Sequence, residues 1–186
     1  MTIDQIASIS LWMIIPLGIL GSLLHFAYEW SGRNRYVAMF SAVNESYWEH
    51  IKIAIWPIFL LQVTLFSMGG YRIPAYVPAA TVALYSIPIS MIAIVFGYKA
   101  IARKNILFFD ISAFFISVAI AQILFAQTLK ELDPGMATIA ISSIFLPVLL
   151  FSFLRFTHKP PAEPDIFLDP LNDTYGTGLD RDSRGG

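Results

Sequence analysis

The sequence predicts an all-α integral membrane protein, a bundle of five kinked transmembrane helices with its N-terminus outside and its C-terminus in the cytoplasm. Three observations carry that expectation. Of 186 residues, 56% are hydrophobic and 13% charged, and the mean hydropathy of +0.66 exceeds what a water-soluble domain tolerates. Five apolar stretches are each long enough to cross a hydrocarbon core of ~30 Å as a helix. Lys and Arg fall mostly in the connections of one side. A net charge of −1 with no long basic run argues against nucleic acid as a partner. The absence of Cys excludes disulfides, thiolate-ligated zinc, iron–sulfur clusters and thiol catalysis.

The first predicted span is 6–28. Asp4 precedes it, no basic segment leads into it, and it ends near His25 and Glu29 instead of small residues, so it reads as a retained helix and not a signal peptide. A polar loop around Arg33 and Arg35 leads to the second span, 49–68. A turn at Gly69-Gly70 precedes the third, 76–98. A basic connection from Lys99 to Lys104 leads to the fourth, 108–129, and Asp133-Pro134-Gly135 introduces the fifth, 137–156. Proline at 16, 57, 78, 88 and 147 removes backbone donors and kinks helices. Residues 1–156 thus form the membrane domain. Residues 157–186 form a polar cytoplasmic tail, disordered from about Gly176, whose Ile166, Phe167, Leu168, Leu171 and Tyr175 suit packing on the end of the bundle.

Orientation follows from positive charge retained in the cytoplasm. One side holds Arg33, Arg35, Lys52, Lys99, Arg103, Lys104, Arg155 and Lys159, and the other only Arg72 and Lys130.

The informative residues sit at that basic end. His25 and Glu29 are four apart and share a helix face, near the small residues Gly18, Gly21 and Ser22. The next span opens with Asn44-Glu45-Ser46-Tyr47-Trp48-Glu49-His50-Ile51-Lys52, in which Glu45, Glu49 and Lys52 would share one face and Ser46 and His50 the adjoining one. Ionisable groups at membrane depth pair, face a wet cavity or bind something. One reading is a divalent metal held by His25, Glu29 and His50, zinc first, with iron and manganese also suited to imidazole and carboxylate ligands. Glu45 or Glu49 would then act as general base and Ser46 would hold an oxyanion or hydroxyl. The other reading is ordinary polar packing: Asn44 caps the helix, Glu45 meets its dipole, Glu49 pairs with Lys52, and Trp30, Tyr47 and Trp48 form an interfacial belt. It leaves His25, Glu29 and His50 without partners. Haem or another cofactor is a third option. Asp110, with Ser117 on the same face, is either a further ligand or a dipole partner, Gln122 needs a partner inside the bundle, and His158 reads as a solvated loop residue.

The elements His25-x-x-x-Glu29-Trp30-Ser31-Gly32 and Asn44-Glu45-Ser46-x-Trp48-Glu49-His50-x-Lys52, followed by Pro160-Pro161, Asp169-Pro170 and Tyr175-Gly176, resemble an uncharacterised family of small prokaryotic multi-pass membrane proteins. That resemblance implies a fold and a bacterial or archaeal plasma membrane, and no activity. A local likeness of Asn44-Glu45-Ser46, Trp48 and His50 to the adiponectin-receptor and alkaline-ceramidase group of zinc hydrolases implies that His50 ligates zinc. The chain departs from that group in having five predicted spans where the group has seven. It also lacks a His-x-x-x-His pair in its last span, so that His25 and His158 would have to substitute.

Two functions follow as expectations. One is a metal-dependent, hydrolase-like enzyme acting on a membrane lipid or amphiphile. The other is a non-catalytic subunit of a larger membrane complex, docking on its protein partner through residues 160–175.

Overall fold

The computed structural model describes residues 1–161, 165–177 and 179–180 of the chain. Six helices follow one another: α1 (Ile3–Trp12), α2 (Ile14–Trp30), α3 (Tyr47–Ser67), α4 (Tyr76–Ala102), α5 (Leu107–Glu131) and α6 (Met136–His158). Four of them, α3 to α6, are long and apolar enough to cross a membrane, and the bent pair α1 and α2 makes a fifth if taken as one broken span. The single helix expected over 6–28 is therefore corrected to two, bent by 51° at Met13. Pro16 supplies the reason: it has no N–H for the carbonyl of Trp12, four residues earlier, and its ring crowds that carbonyl. Pro57, Pro88 and Pro147 lie inside helices that continue past them, and Pro78 sits in the first turn of α4, where no intrahelical acceptor awaits its N–H.

The start of α1 is fixed by a reciprocal cap. Thr2 Oγ1 accepts from the N–H of Gln5 at 3.2 Å, and Gln5 Oε1 accepts from the N–H of Thr2 at 2.9 Å. Along the bundle, α5 packs against α4, α1 against α5, α6 against α4 and α2 against α3. Alanines 79 and 83 of α4 and 113 and 121 of α5 are fully buried, which lets these two backbones approach closely. Isoleucines 51, 55 and 58 of α3 and Leu84 and Ile87 of α4 fill the space between.

Two hydrogen bonds tie helices together in this interior. Ser10 of α1 donates to Gln122 Oε1 of α5 at 2.5 Å, giving Gln122 the bundle partner its depth required. Tyr76 donates to the Gln62 carbonyl at 2.6 Å, tying α4 to α3 at the opposite end from the histidines.

At Gly21, α2 passes close to both α3 and α5. A Cβ there would stand 2.7 Å from the Phe114 ring and 2.8 Å from the Ile53 carbonyl oxygen, and the second of these cannot rotate away. Gly21→Val is expected to destabilise the bundle by about 1–3 kcal/mol, read as a lowered melting temperature in detergent.

Beyond α6, a 3₁₀ turn at Asp165–Phe167 leads to a two-stranded antiparallel hairpin, β1 (Thr174–Tyr175) with β2 (Leu179–Asp180), a small strand element in a chain otherwise helical as expected. Phe167 packs against Trp48 at 4.8 Å and Phe156 at 5.6 Å between ring centroids, and Trp48 in turn stacks on Phe153 at 4.3 Å. The segment expected to meet a protein partner thus lies on the chain's own bundle end. The expectation of disorder beyond Gly176 falls largely on residues 178 and 181–186, outside the described residues.

Candidate metal centre

Helix α3 begins two residues later than a cap at Asn44 would give. Ser46 is its N-cap, extended at φ −70° and ψ 153°, and its hydroxyl accepts from the N–H of Glu49 at 3.4 Å. Asn44 instead makes a short turn, its Oδ1 accepting from the N–H of Ser46 at 3.0 Å. Glu45 therefore belongs to neither helix and cannot share a face with Glu49 and Lys52. Standing between the Asn44 turn and the Ser46 cap, it projects toward α2.

There it meets both histidines. His25 Nε2, from the inner face of α2, lies 3.3 Å from Glu45 Oε1, and His50 Nε2, from the first turn of α3, lies 3.7 Å from Glu45 Oε2. The two imidazoles are 5.2 Å apart between centroids. One ligand atom from each of the three residues lies within 4.8 Å of the others. Ligands around a tetrahedral ion with bonds near 2.0–2.1 Å are about 3.3–3.4 Å apart; His25 and Glu45 already stand at 3.3 Å, and the widest pair of the group would close by at most about 1.5 Å.

The protons sharpen the picture. His50 Nδ1 is 2.9 Å from the Ser46 carbonyl oxygen, which can only accept, so Nδ1 carries the hydrogen. A neutral His50 then turns the bare lone pair of Nε2 toward a carboxylate oxygen. Two electron pairs facing one another at 3.7 Å are reconciled by a cation, either a second proton on the ring or a metal ion, or by a water that donates to both. His25 Nδ1 is buried and has no hydrogen-bond partner among the described residues. The hydrogen bond of His25, and to a smaller degree the charges of both rings, hold the Glu45 carboxyl below the usual carboxylate range against the opposing effect of burial.

The group opens on a cavity of about 440 Å³, within the size range of small-molecule sites. Its walls are mostly apolar, with Phe114 and Phe115 of α5 opposite Ser22 and His25 of α2. Asn105 and Asp110 supply polar groups from the start of α5 and the preceding loop, and Pro170 and Leu171 close one side from the tail. Tyr98 donates to Asp110 Oδ1 at 2.5 Å.

The other expected site residues lie elsewhere. Glu29 is exposed and pairs with Arg33 four residues on, Nε to Oε1 at 3.1 Å, outside the group that His25 and His50 form. Glu49 is buried and paired with Lys52 at 2.5 Å, and its Oε2 also accepts from the N–H of Val43 at 2.9 Å. Lys52, with no exposed surface, donates further to the Ala38 carbonyl at 2.8 Å and to Thr157 Oγ1 at 3.0 Å. Ser46 is buried and occupied as the cap. Ser117 is buried without a hydrogen-bond partner among the described residues, and His158 ends α6 outside the group of three. Polar packing therefore describes Glu49 and Lys52, while the metal reading keeps His25 and His50 and exchanges Glu29 for Glu45. The role of Asn105 in the cavity wall carried no sequence signal, because it joins the site only through tertiary packing, whereas the apolar residues of the tail, Leu171 among them, pointed to packing on the end of the bundle.

A family model described as "Family of unknown function (DUF6512)" matches residues 1–177, nearly the whole chain. No curated protein and no solved structure matches it.

Proposed function

The chain belongs to the DUF6512 family, and we propose that it is a metal-dependent, hydrolase-like membrane enzyme acting on a lipid or amphiphilic substrate. His25, Glu45 and His50 would hold a divalent ion, zinc by preference, and the cavity would take the polar end of the substrate. The observation that carries this reading is the pair of imidazole Nε2 atoms directed at one carboxylate, with the other nitrogen of His50 already committed to a backbone carbonyl. Two imidazoles and one carboxylate, leaving positions free, is a donor set of catalytic zinc and of non-haem iron. An ion so held would supply a Lewis acid and a water of lowered pKa.

The chain's own residues would do the rest. Glu45, as a ligand, is not free to serve as the base, and Glu49 is committed to Lys52. Asp110 is the other carboxylate on the cavity wall, and with Tyr98 hydrogen-bonded to it, it is the group suited to accept and return a proton. Phe114, Phe115 and Ile111 offer an apolar surface to an acyl chain. The charge asymmetry of the connections supports placing this end at the cytoplasmic leaflet, the resemblance to small prokaryotic membrane proteins supports a bacterial or archaeal plasma membrane, and the local likeness of the Asn44–His50 run to the adiponectin-receptor and alkaline-ceramidase group supports His50 as a zinc ligand.

The test is turnover. Zinc-loaded protein in lipid nanodiscs should release a product from at least one class among acyl esters, acyl amides and phosphodiesters, and His50→Ala should abolish the release. Zinc-loaded protein inert toward all three classes would contradict the enzymatic reading.

A further inference from the structure

The tail touches the candidate centre at two separate places. Asn44, the residue before Glu45, uses both ends of its side chain: Oδ1 holds the N–H of Ser46, and Nδ2 donates to the Gly176 carbonyl at 3.1 Å, 132 residues away. Earlier in the tail, Pro170 and Leu171 form part of the cavity wall.

Around these two contacts the tail is internally fixed. Asp169 is buried; its Oδ1 accepts from the N–H of Leu171 at 2.8 Å, its Oδ2 from Asn172 Nδ2 at 3.2 Å, and its own N–H donates to the Thr174 carbonyl at 2.9 Å. Phe167, on Trp48 and Phe156, anchors the segment before that turn. After it, Gly176 sits at φ +54°, where a Cβ would stand 2.7 Å from the Thr157 carbonyl oxygen and 3.2 Å from the Pro160 ring. Only glycine fits this backbone against the end of α6. The tail is thus a closed turn clamped at both ends, and one clamp is the loop that carries Glu45.

We propose that residues 165–177 form a strap that holds Glu45 in register with His25 and His50, with Asn44 as the positioning residue that connects strap to ligand. The proposal rests on the metal-centre reading given above. Glu45 stands on a short loop between two helices, and the Asn44 side chain ties that loop to the strap. With the strap docked, the Glu45 carboxylate is held where both rings can share it, and Pro170 and Leu171 narrow the cavity beside it. With the strap undocked, the loop keeps the Ser46 cap and loses the tie that orients Glu45. Because metal binding and strap docking both favour the same loop conformation, each strengthens the other by the same factor.

Two substitutions separate the strap from the ligands. Asn44→Ser keeps a short side-chain acceptor for the N–H of Ser46 and is too short to reach Gly176. Gly176→Val leaves residues 25–52 untouched and forces the strap away from Thr157. Zinc alone is titrated by calorimetry into full-length, chelator-treated protein in detergent, and hydrogen exchange at residues 44–49 is followed without zinc. Tyr76→Phe, at the far end of the bundle, controls for lost stability in general.

Both strap variants are expected to weaken zinc binding about tenfold or more, in the range found for partners that orient metal ligands. They should also exchange faster at residues 44–49, while Tyr76→Phe lowers the melting temperature and leaves the zinc Kd unchanged. An unchanged Kd in a strap variant overturns the proposal. If the wild type binds no zinc, faster exchange in the variants upholds the strap and removes the metal reading, whereas unchanged exchange overturns the strap as well. Where Gly176→Val does not fold, Asn44→Ser carries the same comparison.

Discussion

Replacing Lys52 with methionine is expected to destabilise the fold by about 3–5 kcal/mol, the usual consequence of leaving one member of a buried ion pair without its partner. The side chain has no exposed surface, and its ammonium group is bonded to Glu49, the Ala38 carbonyl and Thr157. It therefore joins the loop after α2, the first turns of α3 and the end of α6 at one point. Removing it strands the Glu49 carboxylate in an apolar interior with one backbone N–H, that of Val43, as its remaining partner. The double variant Glu49→Gln with Lys52→Met should recover most of the loss, because no net charge then stays buried. Thermal unfolding in detergent of the two single variants and the double variant checks this. Equal destabilisation by the double and the Lys52→Met variants would show that the cost lies in the lost hydrogen bonds and not in the stranded charge.

His50→Ala or His25→Ala is expected to remove stoichiometric zinc while leaving the helical content intact. The two rings are only partly buried and belong to the group of three, not to the Lys52 network. Glu29→Gln should leave the metal in place, since its carboxylate pairs with Arg33 at the surface. These outcomes distinguish the observed set from the one that helical spacing alone suggests. Zinc binding should also weaken as the pH falls, because imidazole ligates only as the neutral base. Glu45 does not limit this in mild acid. Its carboxyl is held below the usual carboxylate range by His25, so the stability that this pairing gives the metal-free fold is present above the unfolded-state value and lost only as pH falls through the depressed one.

The spans were legible because a hydrocarbon solvent leaves an apolar sequence of this length few other solutions. Four of the five expected stretches lie within single helices to within a few residues, and the break in the first was signalled by Pro16, although its position at Met13 follows only from which carbonyl loses its donor. His25 and His50 were legible as polar residues that ordinary packing left unexplained. Glu29 shares a helix face with His25, but a shared face does not choose the partner: its exposed carboxylate pairs with Arg33 four residues on and stays out of the group of three. Glu45 was misread because the choice of cap between Asn44 and Ser46 moves the start of α3 by two residues and with it the direction of the carboxylate. The packing of the tail on the bundle end was legible from its apolar residues, Phe167 among them, but its tie to the Glu45 loop was not: the bond from Asn44 to Gly176 joins positions 132 residues apart, and no local periodicity encodes such a pairing.

The proposed function requires a cation shared by His25, Glu45 and His50. Metal quantification with X-ray absorption at the zinc edge, on protein purified in detergent without chelator and given zinc, tests it directly. About one zinc per chain is expected, with two imidazoles and a carboxylate among its ligands, and none in the His25→Ala, His50→Ala double variant. A metal-free wild type, or zinc retained at the same stoichiometry by the double variant, would contradict it.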